Sequence, residues 1–229
     1  MSGHPSELTR LADAASQRCC GSAVAVIRGF DGLSRRRAAT LRVKLTRRGV
    51  RTIDITPMTT TLRRRRAASG TTWEDRHIGL VVDASATGEE AQRLAAELGV
   101  PVLRSKTNAE PARHSALGVF ADDALVAVAL HGLAAVPLDE QQCQLALARN
   151  DDPECLTTGT VRFELAHPQV GRAEHITVTS THRVTSTQPI MIAPHWGPWI
   201  LHIDGAPLRP LVGPVEIRCL VDRIQQLTA

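Results

Sequence analysis

Between residues 23 and 103 the chain repeats one pattern, a short apolar run followed by a helix-length or polar stretch. Ala-Val-Ala-Val-Ile at 23–27 has no polar position, as expected of a strand buried on both faces. Gly29, Asp31 and Gly32 break it, and 35–48 then carries helical spacing, with Ala39, Val43 and Leu45 among arginines and Gly49 placed as its cap. Residues 50–55 alternate as a second strand ended by Pro57, and 78–82 is a third buried run. In 88–98, Ala91, Leu94, Ala95 and Leu98 form one helical stripe that Ser85 or Thr87 can cap and Gly99 ends; 100–103 is a fourth strand. Strands alternating with helices in this way predict an α/β domain built on a parallel sheet.

The pattern changes afterwards. Segments 124–130, 133–136, 160–165, 175–181, 190–193, 199–203 and 215–220 are short, rich in aliphatic and β-branched residues and separated by Gly, Pro or polar residues. They predict a smaller antiparallel, sandwich-like β region, with one helical segment expected around 140–149. The expected organisation is a polar lead-in at 1–20 with a short helix near 7–16, an α/β domain at 21–118 and a β-rich domain at 119–229.

Charge divides along the same line. Residues 1–113 hold 20 cations and 11 acids, whereas 114–229 hold 7 cations and 12 acids, so an overall +4 conceals a basic half and an acidic half. Aromatics are 3% of the chain with no Tyr, which argues against a base-stacking surface for RNA. Five cysteines without a CxxC pair do not resemble a disulfide framework, and the N-terminus lacks an apolar leader, so the expectation is a cytoplasmic chain with no transmembrane segment.

Ligands of open α/β sheets bind beyond the carboxyl ends of the strands, which directs attention to 29–32, 83–88 and 104–108. Asp83-Ala84-Ser85-Ala86-Thr87-Gly88 stands immediately before a helix. Its amides with the Ser85 and Thr87 hydroxyls suit a phosphate; the plainer alternative is that one hydroxyl caps the helix. Arg104, Ser105, Lys106, Thr107 and Asn108 form a donor cluster suited to phosphate or ribose, or else an ordinary polar loop. Four consecutive arginines at 63–66 suit nucleic acid, an anionic membrane or nucleotide phosphates, although no recognition motif accompanies them and a solvated run is the plainer reading. His167, His175, His182, His195 and His202 lack tight ligand spacing, so no metal site is expected. GxGxxG, GxxxxGK[ST] and GxSxG are all missing, and Trp196 and Trp199 read as turn packing.

The order of these pieces resembles the superfamily of diacylglycerol (lipid) kinases and NAD kinases. Residues 81–90 stand at the place of its GGDGTxxE motif, Leu98-Gly99-Val100-Pro101-Val102 is similar to the following strand entry, and Thr107 through Arg113 resembles its GTxNDFAR-like loop. Ile203-Asp204-Gly205-Ala206-Pro207-Leu208 resembles its DGEPL stretch. In this chain Asp83 and Ala84 replace two glycines, Ser85 replaces the aspartate and Ala86 the third glycine, while Ala109 falls at the asparagine with Asn108 beside it and Glu110 keeps an acid. The resemblance implies a nucleotide bound between two domains, ATP with Mg2+ as cofactor, a lipid or nucleotide hydroxyl as acceptor and a homo-oligomer. It implies Asp204 as acceptor base, Asp83 standing in for the lost acid, and phosphate or ribose contacts from Ser85, Thr87, Gly88, Arg104, Lys106, Thr107, Asn108 and Glu110. Two further readings stand beside an active kinase. One is a non-catalytic module that binds a nucleotide, lipid or partner protein, and the other is a nucleic-acid or anionic-membrane binder using the arginine-rich half.

Overall fold

The computed structural model describes residues 6–56, 78–84, 88–104, 112–149, 152–166, 175–180 and 183–229. Two compact units emerge: Met1–His114 with Asp222–Ala229, and Ser115–Val221.

In the first unit the predicted apolar runs become parallel strands β1 (Ala23–Ile27), β2 (Thr52–Ile55), β3 (Ile78–Asp83) and β4 (Val102–Arg104), hydrogen-bonded in the order β2-β1-β3-β4. The last residues of the C-terminal strand β16 (Val215–Thr228) add to β4 in parallel, Gln226 opposite Val102. Alternation along the strands sorts their side chains. Val24, Val26, Leu80, Val82 and Leu103 share one core with Leu11, Ala12 and Ala15 of α1 (Glu7–Arg18) and Ala38, Leu41 and Leu45 of α2 (Gly32–Thr46). Ala25, Val81 and Val102 pair in register and have the opposite parity; α3 (Glu89–Leu98) packs on β3 and β4. The stretch at 7–16 is thus more than a polar lead-in: α1 runs to Arg18 and buries an apolar stripe, with Arg18 donating to the Thr228 carbonyl at 3.0 Å.

The start of one helix differs from expectation. Helix α2 begins at Gly32 rather than 35, because the Asp31 carboxylate accepts from the Ser34 amide at 2.7 Å and starts the helix three residues early. Helix α3 has Gly88 at its N-cap position with a left-handed backbone, φ 72°, and the expected caps Ser85 and Thr87 lie outside the described residues. Its far end closes on Gly99, where the Arg223 guanidinium donates to the Ala96 carbonyl at 2.8 Å.

In the second unit a six-stranded sheet runs β12 (Arg183–Ser186), β11 (His175–Thr179), β10 (Val161–Ala166), β7 (Leu133–Pro137), β14 (Trp199–Ile203), β15 (Ala206–Leu211). A second layer pairs the first residues of β16 with β13 (Ile190–Trp196), then β8 (Gln144–Arg149) and β9 (Asp152–Thr157), and β5 (Ala112–Ala121) with β6 (Ala124–Ala129). The described ladders of the six-stranded sheet, and those of β13, β8, β9 and β6, are antiparallel. Phe163, Trp199, Leu201, Ile176, Leu145, Ile192 and Ile217 fill one core contributed by both layers. The helix expected around 140–149 is instead a turn and strand β8. Gln-Leu-Ala-Leu-Ala-Arg has period two as well as helical content, and ladders to β13 on one side and β9 on the other decide between them. The fold is therefore a mixed sheet with a parallel α/β core plus a separate six-stranded antiparallel sheet, the class expected from the sequence.

Candidate functional site

At the carboxyl ends of the parallel strands the first unit gathers acids and arginines in tied pairs. Asp83 closes β3 and is buried; Arg104 closes β4, its Nε 3.8 Å from Asp83 Oδ2. From there the Arg104 guanidinium lies across Gly88, occupying the space a Cβ would need. A cation thus sits over the amino end of α3, the positive end of the helix dipole, where Gly88 offers no side-chain acceptor. Glu89 and Glu90 in the first turn offset part of that positive potential, and Glu90 is held by Arg93 at 2.6 Å. What remains is a guanidinium fork beside backbone amides, the donor set that receives a phosphate.

The β1–α2 connection braces this place. Buried Ser34 Oγ accepts from the Gly29 amide at 2.6 Å and donates to the Ala84 carbonyl at 3.4 Å, joining the ends of β1 and β3. Arg28 and Arg42 converge on Asp54 at 3.2 and 3.3 Å. Arg37 forks onto Glu7, and that hydrogen bond, with the charges of Glu7 and Asp83 behind it, raises its pKa against the opposing cost of burial. Ser34 escaped the sequence reading: Asp31 is an N-cap residue type that signals the helix start, but the bonds of Ser34 to Gly29 and Ala84 have no signal in the sequence. Ser34→Ala removes both bonds and is expected to cost about 1.5 kcal/mol. Thermal unfolding followed by circular dichroism should show a midpoint lower by roughly 3–6 °C.

Asp204 belongs to the second unit. With Gly205 it forms the two-residue turn of the β14–β15 hairpin, φ 49° and 80°, closed by Ile203 opposite Ala206. These paired positive φ values suit an Asp-Gly turn matched to strand twist. Its carboxylate accepts from the amides of Leu130 (3.0 Å), His131 (2.8 Å) and Gly132 (3.2 Å), and its own amide donates to the Gly132 carbonyl at 2.9 Å. Trp199 is core and its indole donates to the Trp196 carbonyl at 3.3 Å, whereas Trp196 itself is exposed.

Of the residues singled out from sequence, the structure brings Asp83, Gly88 and Arg104 together and places Asp204 in the other unit. Ser85, Thr87, Lys106, Thr107, Asn108 and Glu110 lie outside the described residues, as do the arginines 63–66, His167 and His182. Among the described residues no group of three His, Cys, Asp or Glu is arranged to hold a metal ion, and no helix is long and apolar enough to cross a membrane.

No protein-family model matches this chain, and no curated protein matches it. Solved structures do. Yeast NADH kinase complexed with NADH is similar with a TM-score of 0.57 at 13% identity, over 91% of this chain and 84% of that one. An NAD kinase from Archaeoglobus fulgidus in complex with ATP is similar with a TM-score of 0.47 at 12% identity, over 86% of this chain and 90% of that one. The likeness to the yeast enzyme shows an NAD-kinase-like fold.

Proposed function

We propose that this chain binds the phosphates of a nucleotide at the carboxyl ends of β3 and β4 and does not transfer a phosphoryl group. The observation that carries the reading is Arg104, tethered by buried Asp83 and laid across Gly88 at the amino end of α3. A triphosphate such as ATP fits that donor set: the guanidinium and the α3 amides would hold its phosphates. The described residues fit Mg2+ poorly. Each described carboxylate at these strand ends already has a partner, Asp31 on the Ser34 amide, Asp54 between Arg28 and Arg42, and Asp83 beside Arg104. The three amides on Asp204 likewise support a role in holding the hairpin rather than in accepting a substrate proton.

The second reading is an active kinase acting on a lipid or nucleotide hydroxyl, favoured by the likeness in fold to NADH kinase. Turnover separates the two. Incubation with Mg2+ and ATP, offering NAD or diacylglycerol as acceptor, is expected to give no phosphorylated product. Nucleotide at a hundred times its Kd should still stabilise the chain by about 2.7 kcal/mol, roughly 5–11 °C in the unfolding midpoint. Product formation that Asp204→Asn abolishes would establish the kinase instead. Arg104→Ala is expected to weaken nucleotide binding by about 10- to 100-fold, the worth of a charge-assisted arginine–phosphate contact.

A further inference from the structure

The exposed side of α2 is a surface of a different kind from the strand-end site. From Arg28 to Arg51 the sequence holds nine cations and one acid, Asp31, which is committed to the helix cap. Ser34, Ala38, Leu41 and Leu45 bury one face, and Leu33, Arg36, Thr40, Val43 and Arg47 recur at three- and four-residue spacing on the opposite, exposed one. Leu33 is 70% exposed and Val43 52%, and Phe30, just before the helix, is 61% exposed. Arg28, Arg37, Arg42 and Arg48 are neutralised by Asp54, Glu7 and Asp13, whereas Arg36 and Arg47 have no acidic partner among the described residues. Single exposed apolar residues are ordinary on a protein surface. Two of them alternating with Arg36 and Arg47 on one helix face, with a third, Phe30, exposed just before the helix, on a stretch with a net charge of +8, are not.

We infer that this face docks onto an anionic lipid surface. The arginines match lipid phosphates, and Phe30, Leu33 and Val43 are the side chains that enter the headgroup–acyl boundary beside them. A nucleic acid would use the arginines but leave the aliphatic residues without a partner, which is why lipid is favoured.

The test is co-sedimentation of the full chain with vesicles of phosphatidylcholine alone, and of phosphatidylcholine mixed with phosphatidylserine, alongside duplex DNA at the same salt. Partition is expected onto the anionic vesicles only, and Arg36→Gln with Arg47→Gln should lower it by about 25-fold, near fivefold for each arginine. Leu33→Ser with Val43→Ser should leave a weaker binding that high salt abolishes, whereas the wild type retains part of its binding there. All four side chains are exposed, and circular dichroism checks that the variants fold; if one does not, the salt titration of the wild type decides alone. No partition, equal partition onto neutral vesicles, an unchanged arginine variant or tighter binding to DNA would each overturn the inference. None of the four substituted residues belongs to the strand-end site, so failure here leaves the nucleotide reading standing.

Discussion

Gly88→Ala should lower the unfolding midpoint by roughly 6–12 °C and weaken nucleotide binding at least about tenfold. Two causes add. At φ 72° an L side chain is strained by about 1–2 kcal/mol. Its Cβ would also overlap the Arg104 guanidinium, which must then swing away from Asp83. That movement leaves a buried carboxylate short of its cation, a further cost of about 1–2 kcal/mol. The partition is measurable. In an Arg104→Ala background the overlap vanishes and only the backbone strain remains, so Gly88→Ala should then cost roughly half as much. Equal costs in both backgrounds, read by thermal unfolding, would mean that Arg104 does not rest on Gly88.

Asp204→Ala should destabilise the chain by about 3 kcal/mol, or roughly 6–12 °C, while leaving nucleotide affinity unchanged. The substitution strips the acceptor from three amides at once, those of Leu130, His131 and Gly132, and puts a side chain with little tolerance for left-handed geometry at φ 49°. Asp204→Asn keeps the turn preference and one acceptor oxygen, so about half of the loss should return. A residue serving as acceptor base would behave in the opposite way, with Asn folding normally and turnover vanishing. The pair of variants therefore reads the role of Asp204 without knowing the acceptor.

Strands β1 and β3 of the first unit were visible in the sequence because nearly all of their positions are apolar, whereas β2, with Thr52 and Asp54, showed as an alternation. Ala23–Ile27 and Ile78–Asp83 are near-continuous apolar runs, and burial follows directly. The β region was legible as a class, but β8 was not, because Gln144–Arg149 satisfies two periods and only its neighbours β13 and β9 select one. Helix ends were less legible still. Asp31 rather than any residue near 35 starts α2. The site itself depends on contacts between distant residues. Asp83 and Arg104 were each singled out at a strand end, yet nothing local states that the Arg104 side chain returns over Gly88, sixteen residues earlier. Asp204 was noticed through a motif, while its three amide donors lie more than seventy positions upstream, beyond any spacing rule.

The charge asymmetry takes on a more definite form in the same light. Five of the 20 cations of residues 1–113 are held in tied pairs, Arg28 and Arg42 on Asp54, Arg37 on Glu7, Arg48 on Asp13 and Arg104 on Asp83. Only the arginines without such partners, Arg36 and Arg47 among them, are available to a macromolecular anion, whereas Arg104 is positioned for a small one.

Calorimetric titration of ATP into the wild type and into Arg104→Ala, each with and without Mg2+, tests the central claim most directly. Binding of ATP to the wild type that is independent of Mg2+ and at least about tenfold weaker in Arg104→Ala, with ATP recovered intact, is the predicted result. Equal affinity in the two proteins, or binding that requires Mg2+ and proceeds to phosphoryl transfer, would contradict it.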